Sequence, residues 1–151
     1  MTTFSSVGPT NIDGWFKPDL VTSGRSVVSL RAPGSTIDTS FPSAEIGSSN
    51  FVGSGTSFSA AITTGAAALV IQGVKTKVKT LTPDQVKAQL LGTASPGPVG
   101  NPLVDGHGAL DSYAAVNQPR SSGYQWVRLY FAHIHPPARC ALPARRTELA
   151  T

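Results

Sequence analysis

Cysteine is almost missing from this 151-residue chain; there is one, Cys140. A single thiol excludes an internal disulfide framework and a zinc site built from cysteines. Charge is scarce too, at 13% of residues, where a globular domain usually carries about 25%. That excludes a charge-driven disordered chain and leaves few side chains to solvate a surface. No apolar run is long enough to cross a bilayer, since the longest spans only Ala66 to Ile71. Met1 to Thr10 has neither the basic nor the apolar stretch of a secretory signal. A membrane is therefore not expected as a partner.

The sequence does contain enough apolar residues, 40%, to bury a modest core. Gly and Pro together number 27, the sum of 15 and 12, so turns and loops take up much of the chain. The net charge of +4 is unevenly placed. Residues 1–116 hold seven basic and seven acidic side chains, whereas residues 117–151 hold five arginines against Glu148 alone. The pI thus reports on the tail, not on a neutral body.

Residues 1–55 read as loop with short strands, of which Ser26 to Leu30 is the clearest and Asn50 to Val52 a weaker one. From Ser57 to Gln72 there is neither proline nor charge, and Ala60, Ala61, Ala66, Ala67 and Ala68 favour helix. Phe58, Ile62, Leu69, Val70 and Ile71 cover nearly every face, which predicts a buried helix ending near Gln72 or Gly73. Its start differs, because Ser57, Ser59, Thr63 and Thr64 cluster there. Thr82-Pro83-Asp84-Gln85 predicts a second helix: a capping hydroxyl, a proline at the first position and the reciprocal glutamine. Val86, Leu90 and Leu91 form its apolar face, and Gly92 suits its end. Lys75, Lys77 and Lys79 fall in the connection, read as a solvated loop. Thr93 to Gly108 reads as loop and Asp111 to Val116 as a short helical turn.

Gly53-Ser54-Gly55-Thr56-Ser57 runs directly into the alanine-rich helix. Small residues permit a sharp turn there. A serine on the first helical turn meets unpaired backbone N–H groups and the positive end of the helix dipole. Such a site suits a nucleophilic oxygen and can stabilise the oxyanion formed on a carbonyl. Spacing alone leaves open that Thr56 or Ser57 is simply a helix cap.

Gly55-Thr56-Ser57-Phe58-Ser59-Ala60-Ala61-Ile62-Thr63-Thr64-Gly65 resembles the nucleophile motif of the subtilisin-like serine peptidases, the subtilases. Phe4-Ser5-Ser6-Val7-Gly8-Pro9, Lys17-Pro18-Asp19-Leu20-Val21, Thr82 to Leu91 and Gly106-His107-Gly108-Ala109-Leu110-Asp111 are similar to four further segments of that family, in its order. The resemblance spans residues 4–116. It implies that Ser57 is the acyl-enzyme nucleophile, with Gly55 and Thr56 in the oxyanion neighbourhood, and that the substrate is a polypeptide. No cofactor and no metal site is expected. It also implies an α/β fold class: the C-terminal portion of a three-layer fold with a parallel sheet and a buried central helix. The expected organisation is residues 1–116 as part of a catalytic domain and residues 117–151 as a basic, aromatic-containing and poorly ordered extension.

Two departures qualify that resemblance. Ala61 stands where the motif usually has proline. The family's catalytic Asp, its His and an oxyanion-hole Asn precede the Phe-Ser-Ser segment, and no histidine precedes Ser57 here. His107 fills the variable place of a Gly-x-Gly turn, so a turn residue is expected rather than a base. A serine hydroxyl without a base is a weak nucleophile. The expectation is therefore a serine-type endopeptidase by resemblance whose isolated chain is inert, with the Asp- and His-bearing half of the domain as its partner. The resemblance implies secretion for such a parent enzyme, while the localisation of this chain stays open. The alternative is a noncatalytic pseudoenzyme or binding fragment that uses the basic tail. Arg128, Arg139, Arg145 and Arg146 with Trp126, Tyr130 and Phe131 match no nucleic-acid-binding motif, so nucleic acid is not an expected partner. His133, His135 and Cys140 offer only three possible zinc ligands in the tail.

Overall fold

A computed structural model describes residues 1–75 and 81–118 of the chain. Their order is β1 (Val27–Leu30), α1 (Thr36–Ser40), a 3-10 turn at Pro42–Ala44, β2 (Glu45–Ile46), β3 (Asn50–Gly53), α2 (Thr56–Lys75), α3 (Pro83–Gly92), α4 (Pro102–Asp105) and α5 (Ser112–Asn117). The combination of helices with a small sheet is of the α/β class. Both strands read from the sequence form, as do all three expected helical segments. α1, α4 and β2 are additional; they lie in segments whose glycine and proline content reads as loop.

The sheet has three strands in the order β1-β3-β2, and both pairings are antiparallel. Val27 faces Gly53 and Leu30 faces Asn50, while Glu45 faces Phe51. The expected parallel sheet is not seen among the described residues. A parallel pairing needs a long crossover between its strands. Val21 and Ala109, separated in sequence by α2 and α3, form an isolated parallel bridge. The Val21 N–H donates to Gly108 O at 2.9 Å and the Leu110 N–H donates to Val21 O at 2.8 Å. Ala109 also exchanges backbone bonds with Ser95, at 2.8 and 2.9 Å.

α2 packs against α3 and α5. The core is Ala66, Val70, Val86, Leu90 and Ala115, with Leu20, Ala67, Leu81, Leu110 and Val116 packed around it. Val70 has no exposed surface. The expectation of a helix buried all round needs correction among the described residues. Its other sides are open, with Leu69 50% exposed and Ile62 exposed on one flank and Ile71 exposed on the other. The reason is geometrical: α3 and α5 approach from one side, and one side of a helix is all that two neighbours cover. α2 also runs past the expected end, to Lys75. Gly73 is not a stop. It is a point of close approach, where an added Cβ would stand 2.8 Å from Val116 Cγ1 on α5.

α3 begins as the sequence predicts. Thr82 accepts from the Gln85 N–H, and the Gln85 side chain accepts from the Thr82 N–H, which completes the capping box. Its buried residues are Val86, Leu90 and Leu91.

At the sheet, Arg31 joins three elements. Its Nε donates to Asp38 Oδ1 at 2.6 Å, and its Nη2 donates to Asp38 Oδ2 at 3.0 Å and to Glu45 Oε1 at 2.8 Å. Asp38 is buried, and the Gly34 N–H also donates to it. The Arg31 guanidinium, followed by the Gly34 N–H, holds the Asp38 carboxyl below the usual range, and Asp38 in turn raises Arg31.

Two outcomes follow for the full chain. Leu90→Ala should cost about 2–5 kcal/mol in urea unfolding, because it opens a cavity in the core, while Leu69→Ala on the open face should cost a small fraction of that. Asp38 has a lowered folded pKa, so its stabilising effect is present above the unfolded carboxylate value of about 3.9 and is lost as pH falls through the folded value. Thermal melts of Arg31→Gln should show a weaker loss of stability across that acid range than melts of the unsubstituted chain.

Candidate active site

The site is built where β3 turns into α2. Phe58 packs its ring on Gly53 at the end of β3. Two bonds hold the approach between them to the segment Thr22–Ser26. The Gly55 N–H donates to Gly24 O at 2.7 Å, and the Ser26 N–H donates to Ser54 Oγ at 2.8 Å. Ser26 adopts a positive φ of 52° to make this fit. A non-glycine residue there signals a local constraint.

Ser57 is the second residue of α2 and is exposed, as is Thr56; Gly55 is half-buried. The other helices end differently. Ser35, Thr82, Asn101 and Asp111 each spend a side-chain oxygen on an N–H of α1, α3, α4 and α5. α2 follows Gly55, which has no side chain to offer. Among the described residues, the Thr56 and Ser57 N–H groups and the Ser57 hydroxyl have no hydrogen-bond partner. Nor is there an acidic side chain in the first turn of α2. Among the described residues, the longest helix therefore presents its positive end, with free N–H donors, beside an exposed hydroxyl. The expectation of Ser57 at the start of a long helix agrees with this placement. Chemically, the arrangement can bind a developing oxyanion. It does not by itself supply a base.

His107 lies in the turn between Gly106 and Gly108, and its N–H donates to Asp19 O at 2.9 Å. Asp19 lines a groove with Thr63, Ala67 and Ile71 of α2. Those residues are roughly two to four helical turns beyond Ser57. The Asp19 carboxylate accepts from Lys17 Nζ at 2.6 Å and pairs with Lys87 Nζ at 3.1 Å. Burial lowers the His107 pKa, with Asp19 opposing the shift and Lys87 adding to it. His107 thus belongs to the Asp19 corner, and its turn role agrees with the sequence reading.

An open cleft of about 1100 Å³ runs beside the first turn of α2, lined by Thr22, Gly24, Arg25, Thr56, Ser59 and Thr63 among others. Among the described residues no cluster of three or more His, Cys, Asp or Glu side chains could hold a metal, and no helix is long and apolar enough to span a membrane. His133, His135, Cys140 and the tail arginines and aromatics lie outside the described residues, as do Lys77 and Lys79. The sequence reading missed the Thr22–Ser26 segment. Its composition, Thr-Ser-Gly-Arg-Ser, signals a turn but not what the turn holds.

Titration of His107 by NMR should give a midpoint below the ordinary imidazole value of about 6.5. Because the folded pKa is the lower one, its contribution to stability should rise with pH between the two values and be lost as pH falls from about 6.5 through the folded value.

The sequence profile of the subtilase family, peptidase family S8, matches residues 1–123. Over 113 residues the chain is 39% identical to the serine protease AprX of Bacillus subtilis (strain 168). The matched stretch is 75% of this chain and 24% of that relative, so the chain spans about a quarter of the relative's length. With the profile covering most of its length, the chain belongs to the subtilase family.

Proposed function

We propose that Ser57 is the nucleophile of a serine-type endopeptidase acting on polypeptides. The observation that carries this reading is the exposed Ser57 hydroxyl on a long helix whose first N–H groups have no partner among the described residues. In the reaction, Ser57 Oγ attacks the peptide carbonyl carbon and loses its proton to a base. The oxyanion is held by the free N–H groups at the start of α2, in the neighbourhood of Gly55 and Thr56. Collapse of the tetrahedral species breaks the C–N bond, the base returns the proton to the leaving amine, and water then hydrolyses the acyl-serine by the same route. These steps require no cofactor.

The base is supplied by another part of the catalytic domain. No histidine precedes Ser57 in the sequence, and His107 is held at the Asp19 corner. The proposed arrangement is that these residues act as the nucleophile-bearing part of a three-layer subtilisin-like domain with a parallel sheet. In it, residues 1–116 belong to the catalytic domain and residues 117–151 form an extension. The part carrying the Asp, the His and the oxyanion Asn is the partner. Two features support this: the exposed apolar side chains Ile62 and Leu69 on one flank of α2, and the cleft beside its first turn. An exposed apolar face of that kind marks an interaction surface. Alone, these 151 residues are inert as a peptidase.

The test is a fluorophosphonate probe on two proteins. The isolated chain should label weakly or not at all. A chimera of AprX, with its matched region replaced by that of this chain, should label strongly and hydrolyse casein, and Ser57→Ala should abolish both. Strong Ser57-dependent labelling of the isolated chain would show a base within it, with His107 the first suspect. A folded chimera with no Ser57-dependent labelling would replace this reading with a noncatalytic one.

A further inference from the structure

Ser59 behaves unlike its neighbours on α2. A serine or threonine inside a helix commonly turns its hydroxyl back to the carbonyl one turn earlier. Thr63 and Thr64 do so, donating to Ser59 O and Ala60 O at 2.9 Å each. Ser59 instead donates out of the helix, to Thr22 O at 3.2 Å, a residue 37 positions earlier in the chain. The same short segment already holds the approach to the helix, through Gly24 O to the Gly55 N–H and through the Ser26 N–H to Ser54 Oγ. Thr22–Ser26 therefore grips the chain on both sides of Ser57: at Ser54 and Gly55 before it, and at Ser59 after it.

Gly24 shows how close this grip is. A Cβ added there would strike Ser59 Oγ and stand 2.8 Å from Gly55 O. Only a glycine lets the segment come near enough for the hydroxyl to reach Thr22 O.

Resting on the reading of Ser57 as nucleophile, we infer that Ser59 is a positioning residue, whose hydroxyl bond to the Thr22 carbonyl fixes the first turn of α2 from its far side. With both sides held, the Ser57 hydroxyl and the free N–H groups keep one orientation toward a substrate carbonyl. Nucleophilic attack depends steeply on such orientation, because a misplacement of about 1 Å can cost on the order of a hundredfold in rate. Without the Ser59 bond, the turn is held only at Ser54 and Gly55, and Ser57 is free to swing with the helix end.

The first measurement is amide hydrogen exchange by NMR on the full chain. Ser59→Ala should speed exchange of the Gly55 amide roughly 2- to 10-fold, the worth of one ordinary hydrogen bond, and leave the Leu90 and Leu91 amides of α3 unchanged. Ser59→Thr retains the hydroxyl and should return Gly55 toward its original rate. In the AprX chimera, Ser59→Ala should lower kcat with KM unchanged, and Ser59→Thr should recover kcat. Unchanged Gly55 exchange in Ser59→Ala would overturn the inference. So would a uniform acceleration that includes α3, which would make Ser59 a general stability residue, or a Ser59→Thr chain that behaves like Ser59→Ala. If Gly55 responds as expected while the chimera has no Ser57-dependent hydrolysis, the brace stands and it is the nucleophile reading that falls.

Discussion

The packing of one stripe of α2 against α3 and α5 is the constraint on which the rest of this structure depends. The stripe is made of small residues: Ala66 and Val70 are buried, and Gly73 lets Val116 come close. Small side chains bring helix axes together, and Leu90 and Val86 of α3 fill the space that remains. Dispersion and burial at this contact set where α2 lies. Once its axis is set, the direction in which its first turn points follows. The sheet and the Thr22–Ser26 segment then need only hold the near end of a rod whose far end is already packed.

Helix ends divide into two kinds. Four short or medium helices use a polar side chain to satisfy their first N–H groups, and their cost of nucleation is eased by it. α2 does not, and its length and packing make a cap dispensable. Its free donors are compatible with binding a negative charge that forms only during a reaction. This is a relation between stability and chemistry: a helix secured along its side can leave its end unsatisfied.

The charges play a local, architectural part. Arg31 ties β1 to α1 and β2 through one buried and one half-exposed carboxylate. Asp19 gathers Lys17, Lys87 and the His107 backbone N–H at one corner. The lysines there are more than two-fifths exposed, and such pairs contribute little, about 0–1 kcal/mol each. The turn around Gly106–Gly108 is held by backbone bonds, the His107 N–H to Asp19 O among them. A body with equal numbers of opposite charges in residues 1–116 can spend its few ions in this way.

The sequence by itself determined what depends on neighbours along the chain. The capping box at Thr82–Gln85 was legible because its partners lie three residues apart. The helix from Thr56 was legible from a run without proline or charge, and Ser57's place at its start from the glycines before it. The family resemblance was legible because five segments kept their residues and order. What depends on contacts between distant residues was not legible. That α2 buries one stripe and leaves Leu69 open is set by which helices reach it, not by its own apolar residues. That Gly73 is a contact rather than a stop is decided by Val116, 43 residues later. That Ser59 differs from Thr63 is decided by Thr22, because a hydroxyl in a helix bonds to whichever carbonyl the fold brings near it. Local preference is a property of the chain; the choice among equally available partners belongs to the tertiary structure.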